Sequence, residues 1–375
     1  MKVQMRDHTL QHRGTLPVTS GSAVIRNNDV STWQIIVDGN NPRSDRFQPG
    51  WGIRVLDDWG NQLLSGPAIK IEVDVSADNK TRNLIISGLS DDVYLMDSLV
   101  IPNPPAGAEA NADLWKASGP IETVMKKLVD EQIGPSAPDD YRIEHLIIAG
   151  DEKRGKSVSV SERFTNMLEV MQEQIGDMLF SITQEGKELV FRVQEARDYR
   201  RKIRLTRQNS AVGKYTTELS APTATEVIVG GAGTGSSRKL WREPKGAPKP
   251  GEWGRRITTF LDRQSTSDSN ELKQAAENEL EEKGEKASVT FEANETKRLK
   301  YGRDFLVGDK ITIDLDGSKI QDILQVVELT WDSAGRAAKM QVGPVADESK
   351  LNKATGPLLD LYRKVWSEVR RNQTR

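Results

Sequence analysis

The chain has 375 residues, more than one hydrophobic core usually spans, so two to four domains are expected. Its 53 basic and 55 acidic residues are mixed along the sequence and leave a formal net charge of -2. That balance excludes a general attraction for nucleic acid or an anionic membrane, and Arg200-Arg201-Lys202-Ile203-Arg204 is the one local basic run. There is no cysteine, which excludes disulfides, thiolate nucleophiles and cysteine-bound zinc, and His8, His12 and His145 are the only histidines available to a triad or metal site. Met1 to Gly14 carry no apolar signal-like run, and no segment approaches the roughly 20 apolar residues that span a bilayer. A soluble chain made in the cytoplasm, with no membrane-spanning segment and no cofactor, is the expectation.

Residues 1–108 read as strands and turns. Trp33 to Val37 end at Asp38-Gly39, and Gly52 to Leu56 run into Asp57-Asp58-Trp59-Gly60. In the strand from Gln62 to Val75, Ile69, Ile71, Val73 and Val75 alternate with Lys70, Glu72 and Asp74, which predicts one buried and one wet face. Short strands with frequent turns suggest a small barrel or sandwich. Pro102, Pro104, Pro105 and Gly107 end this first β domain.

Residues 109–200 switch to helical spacing. Gly119-Pro120 opens a helix striped by Ile121, Val124, Met125, Leu128 and Val129, and Gly134-Pro135 stops it. A second helix is predicted from a Ser161 cap, striped by Phe164, Met167, Leu168, Met171 and Ile175. A hairpin of Leu179–Thr183 and Leu189–Val193 completes an α/β domain.

Residues 201–345 return to β structure, with a long exposed loop at 230–254 and a helix at about 269–283 carrying Leu272, Ala275, Ala276 and Leu280. A meander follows through Lys310–Leu315, Ile323–Trp331 and Ala338–Val342. The remainder, 346–375, holds a polar linker and then Leu358, Leu361, Tyr362, Val365, Trp366 and Val369 on one helical face. That stripe is the candidate subunit interface; a helix folded back on its own chain is the alternative.

None of the familiar chemical motifs closes. Val227 to Gly235 offers Gly231 and Gly233 to a dinucleotide fingerprint, but Ser236 stands at the third glycine, and Gly235-Ser236-Ser237 lacks a P-loop lysine. No serine in a nucleophile-elbow pattern partners His145. Asp57-Asp58, Asp91-Asp92, Asp139-Asp140 and Glu281-Glu282 are acidic pairs, yet only separation in space would make any of them a glycosidase pair. The tryptophans fit core or interface packing better than carbohydrate stacking. Catalytic, cofactor and metal residues are therefore all expected to be absent, and the chain is read as a non-enzyme.

Several segments carry a likeness when taken in order. They are Leu64-Ser65-Gly66-Pro67, Ser87-Gly88-Leu89-Ser90-Asp91-Asp92, Val100-Ile101-Pro102, Gly119 to Val124, Gly134-Pro135-Ser136-Ala137, Ala224 to Gly231, Trp253-Gly254-Arg255-Arg256 and Tyr301 to Ile313. Over about 60–345 the chain resembles the siphophage minor tail protein family, related to the trimeric baseplate hub of contractile phages and to tail-associated tip proteins. The resemblance implies an α+β, mainly β fold: two small β-barrel domains with α/β insertions. It implies a homotrimeric ring in the virion tail tip that adapts a six-fold tail tube or distal tail protein to a three-fold tip and lines or closes the DNA conduit. Implied partners are the distal tail protein, the tape-measure protein and tip or receptor-binding proteins, with DNA passing transiently. Some relatives carry a C-terminal hydrolase or fibre domain; with only the 346–375 segment after the last barrel, none is expected here. A tail-tip cell-wall hydrolase and a host-polysaccharide-binding protein are the competing readings.

Overall fold

The computed structural model describes residues 1–42, 46–77, 82–104, 114–209, 211–244, 253–264, 266–293, 296, 299–315 and 318–342. Contacts gather these into two units. The first takes Met1–Ile203, Ala293–Lys310 and Val326–Met340; the second takes Arg204–Glu292, Ile311–Gln325 and, of the described residues after these, 341–342.

In the first unit, β1 (Lys2–Arg6), β2 (His12–Leu16), β3 (Val18–Arg26), β4 (Thr32–Asp38), β5 (Gly52–Leu56), β6 (Gln62–Val75) and β7 (Arg82–Leu89) lie in the spatial order β3-β4-β7-β6-β5-β1-β2. Every neighbour is antiparallel. The later half of β20 (Ser318–Asp332) adds to β3, with Val326 opposite Arg26 and Asp332 opposite Ser20. Two glycines make room for indoles in this sheet. A Cβ on Gly21 would lie 2.3 Å from the Trp331 ring, and one on Gly88 would lie 2.1 Å from the Trp33 ring. Ile35, Val37, Ile53 and Ile86 are fully enclosed beside them.

The same unit holds α1 (Val93–Met96), β8 (Trp115–Pro120), α2 (Ile121–Gln132), β9 (Leu146–Ile148), β10 (Ser157–Glu162), α3 (Met167–Gln174), β11 (Met178–Glu185) and β12 (Glu188–Glu195). β11 and β12 form the expected hairpin, β9 joins β12 in parallel, and β8 pairs β10. The predicted stripe of α2 is buried, from Ile121 at 3% exposure to Leu128 and Val129 at 0%. It packs with Met167, Leu168, Met171, Phe180 and Phe191 in one core. Each such side chain contributes about 1.5–3 kcal/mol through burial. Helix α3 starts later than the sequence predicts. Ser161 lies in β10, Phe164 is exposed with φ 55, and Asn166 caps the helix by accepting from the Leu168 and Glu169 amides.

In the second unit, β13 (Arg204–Thr206) lies parallel to β19 (Lys310–Leu315), and β14 (Val212–Ser220) pairs β18 (Lys286–Ala293). A separate sheet has the order β16-β15-β17, from Leu240–Glu243, Glu226–Gly230 and Thr258–Asp262. On it lies α4 (Ser269–Glu282), whose Leu272 and Ala276 meet Val227 and Val229. Asp268 caps this helix on the Asn270 amide. Strand β16 lies inside the segment expected to be a loop at 230–254. Back in the first unit, β21 (Gly335–Val342), which lies there as far as Met340, follows β20 as its hairpin partner.

The fold is α+β and mainly β, as expected. The strand orders are open, and no closed barrel is formed among the described residues. One alternation misleads. Ile69, Ile71, Val73 and Val75 are 63%, 36%, 52% and 46% exposed, because β5 leaves β6 at Pro67 and nothing described covers the strand beyond it.

Candidate interaction surfaces and buried polar networks

The ionisable side chains of the first unit are used to tie strands together. Arg6 of β1 donates to both Asp91 carboxylate oxygens, and also to Gln184 Oε1 at 3.0 Å. The Ser65 hydroxyl donates to Asp91 at 2.6 Å and accepts from the Gln184 amide at 3.1 Å, while Gln184 Nε2 reaches the Leu10 carbonyl at 2.7 Å. Arg6, Ser65, Asp91 and Gln184 are all buried, so every partner is needed to offset the loss of water. A Cβ on Gly66 would lie 1.7 Å from the Leu89 carbonyl oxygen, so glycine is required where β6 crosses the end of β7.

Asp92 sits beside this network. Burial pushes its carboxyl up to about 7, against hydrogen bonds from the Ile182 amide at 2.7 Å and the Ser90 hydroxyl at 2.9 Å. A second knot joins α2 to the loop before β10. Glu122, fully buried, accepts from the Arg154 guanidinium and from Lys126, and the Arg154 contact foremost holds it well below the usual carboxylate range. Asp7 shows the opposite balance to Asp92. Burial raises it, but donors from Thr9, Gln11 and Arg13 outweigh that and bring it down to about 2.

The residues singled out for chemistry fall into similar structural roles. Asp57 accepts from the Trp59 and Asn61 amides and shapes their turn, and Asp58 meets the N-terminal amine at 2.6 Å. Asp139 pairs with Arg142 at the surface. His145 has φ 65 and lies 3.8 Å from Glu144. In the basic run, Arg200 pairs with Asp198, Arg204 with Asp314, and Lys202 lies over the Tyr199 ring. The glycine run is a close-approach turn: a Cβ on Gly231 would lie 2.7 Å from the Thr266 carbonyl and 2.9 Å from Leu272. The Tyr301–Ile313 stretch runs from a packed turn into β19, with Tyr301 edge-on to Phe305 and Asp309 held by Arg197. Among the described residues no group of three acidic or histidine side chains could hold a metal ion.

Trp33 and Trp115 are core residues, their indoles donating to the Leu89 carbonyl and to Glu131. Trp59 is 45% exposed beneath Lys300, Arg303 and Arg336, whose charges lie 5.0, 5.2 and 5.8 Å from its ring. Among the described residues, the 69–75 half of β6 is an extended exposed apolar strand, which sequence alternation located but assigned to a core. The stripe of Leu358, Leu361, Tyr362, Val365, Trp366 and Val369 lies outside the described residues. Arg6 and Gln184, central to the largest network, carry no sequence signal, being 178 positions apart.

No curated protein matches the chain. Among solved structures, it is similar to the 43 kDa tail protein of prophage MuSo2 from Shewanella oneidensis, at 12% identity and TM-score 0.57, covering 91% of this chain and 98% of that one. A tail protein from Neisseria meningitidis MC58 is similar at 12% identity and TM-score 0.55, covering 91% and 96%. Prophage tail protein gp18 from Listeria monocytogenes EGD-e is similar at 10% identity and TM-score 0.51, covering 98% and 100%. A family model described as Siphovirus ReqiPepy6 Gp37-like protein matches residues 2–344. The chain has the fold of phage tail proteins and belongs to the Siphovirus ReqiPepy6 Gp37-like family.

Proposed function

We propose that this phage tail structural protein is a hub subunit of the tail tip or baseplate. In this reading three copies form a ring that adapts the six-fold tube or distal tail protein to a three-fold tip and lines or closes the DNA conduit. The observation that carries it is the end-to-end correspondence with the Shewanella tail protein, covering 91% of this chain. A part whose value is geometry needs large complementary interfaces and no reactive group. The ion pairs of the first unit fit that need, since Asp91 and Glu122 are committed to Arg6, Arg154 and Lys126. The distal tail, tape-measure and receptor-binding proteins are the proposed partners, and the Leu358–Val369 stripe is proposed to seat on a neighbouring subunit.

Mass measurement in solution by sedimentation or light scattering tests this. A trimer with no release of peptidoglycan fragments is expected; a monomer that degrades peptidoglycan would replace the hub reading with the hydrolase one. Removing 346–375 should weaken the trimer, and an unchanged trimer would dispose of the tail-stripe interface.

A further inference from the structure

The distal half of β6 joins two properties that folded proteins rarely leave together. Residues 69–75 pair with β7 alone among the described residues, and their apolar side chains Ile69, Ile71, Val73 and Val75 are 36–63% exposed. A regular apolar edge of this kind is a template for another strand. In the second unit, β14 is an end strand, with β18 as its one neighbour among the described residues. Lys214, Thr216 and Glu218 of β14 are exposed, while Tyr215, Thr217 and Leu219 are half-buried on the alternate face.

The two edges are complementary in charge and in face. Read along β6, the polar positions are Lys70, Glu72 and Asp74; read along β14, they are Lys214, Thr216 and Glu218. An antiparallel register sets Lys70 against Glu218, Glu72 against Thr216 and Asp74 against Lys214. The same register places Ile69 opposite Leu219, Ile71 opposite Thr217 and Val73 opposite Tyr215. A parallel alignment would instead set Lys70 against Lys214, and like charges directly opposite are destabilising. Lys70 now lies 2.8 Å from Glu72 on its own strand, both ends largely in water, so exchanging that contact for Glu218 costs little.

We propose that residues 69–75 of β6 pair antiparallel with β14 of a second copy of this chain, each copy giving one edge and receiving the other. Such a contact is heterologous, the kind of interface that generates a ring when its rotation closes. It presupposes the self-assembly proposed above and supplies a contact for it. Apolar burial of Ile71 and Val73 drives the association, and the two ion pairs select the register.

The cysteine-free sequence allows a direct test on the full-length chain. Opposed positions in an antiparallel pair have Cα atoms about 4.5–5.5 Å apart, within disulfide reach. Glu72→Cys with Thr216→Cys, under a mild oxidant, should give a reducible ladder of covalent dimers and higher species. Either single variant, and the out-of-register pair Glu72→Cys with Lys214→Cys, should give at least about tenfold less of the higher species. In parallel, Asp74→Lys should lose the oligomer in sedimentation, and adding Lys214→Asp should restore it. An oligomer that persists in Asp74→Lys, without a ladder from the opposed cysteines, would overturn this contact and leave the ring reading standing. A chain that is monomeric throughout the concentration range and gives no ladder would overturn both.

Discussion

The two halves of β6 each pair with one strand and have opposite fates. In Gln62–Pro67, the strand pairs with β5, Leu63 and Leu64 are buried, and Ser65 enters the Arg6–Asp91 network. In Ile69–Val75, the strand pairs with β7 instead of β5 and every residue is exposed. The difference teaches that alternation reports which face of a strand is apolar, not whether the same chain covers it. The first half is committed to the fold, and the second is available to a neighbour.

Substitutions along this boundary should separate the two roles. The largest effect is expected for Gly66→Ala, whose Cβ must occupy space 1.7 Å from the Leu89 carbonyl oxygen. A loss above about 4 kcal/mol in chemical denaturation, or failure to fold, is predicted because backbone must move against backbone. Next, Arg6→Met strands Asp91, fully enclosed, without its cation. A loss of about 3–5 kcal/mol is expected, and a value near zero would show that the network does not hold the sheet. The third effect depends on pH. Asp92 has a folded value near 7 against about 3.9 when unfolded, so the folded state holds the proton more tightly. Its contribution is fully present below about pH 3.9 and is lost as pH rises through about 7. Denaturation midpoints should therefore show a fall between pH 5 and pH 8 that Asp92→Asn removes; an equal fall in the variant would assign it to another group. The smallest effect is expected for Val73→Ser in the exposed half, within about 0.5 kcal/mol of the parent in monomer stability. A loss of several kcal/mol there would mean that the distal half is part of the chain's own core.

The sequence was most readable where one element made its own case. Helix α2 carries a stripe that is buried, with Pro120 at its N-cap and Gly134 just past its C-cap, donating to the Val129 carbonyl. The start of helix α3 is ambiguous in the sequence because Ser161 and Asn166 can both cap a helix, and only the pairing of β10 with β8 removes the first. Strand β16 has four residues between glycine-rich and proline-rich flanks, too few for a periodicity to register. The segments that carried the family likeness include Ser65, Gly66, Gly88, Ser90 and Asp91. In the structure these are the close-packed crossing of β6 and β7 and half of the buried network. Their partners Arg6 and Gln184 could not be read, because adjacency between positions 85 and 178 apart exists only once the strands are paired.

The pairing of β3 with β20 bears on how the chain is made. Strand β3 ends at Arg26, and its neighbour is complete only at Asp332. At translation rates of about 5–20 residues per second, the early sheet waits on the order of 15–60 s for that neighbour. Contacts so distant along the chain also slow folding itself. During that interval the nascent sheet has an open edge at β3 as well as the apolar one at β6, so premature association on the ribosome is the hazard this topology creates. The same delay acts as a length check, since a polypeptide terminated before residue 326 never acquires the strand that closes off β3.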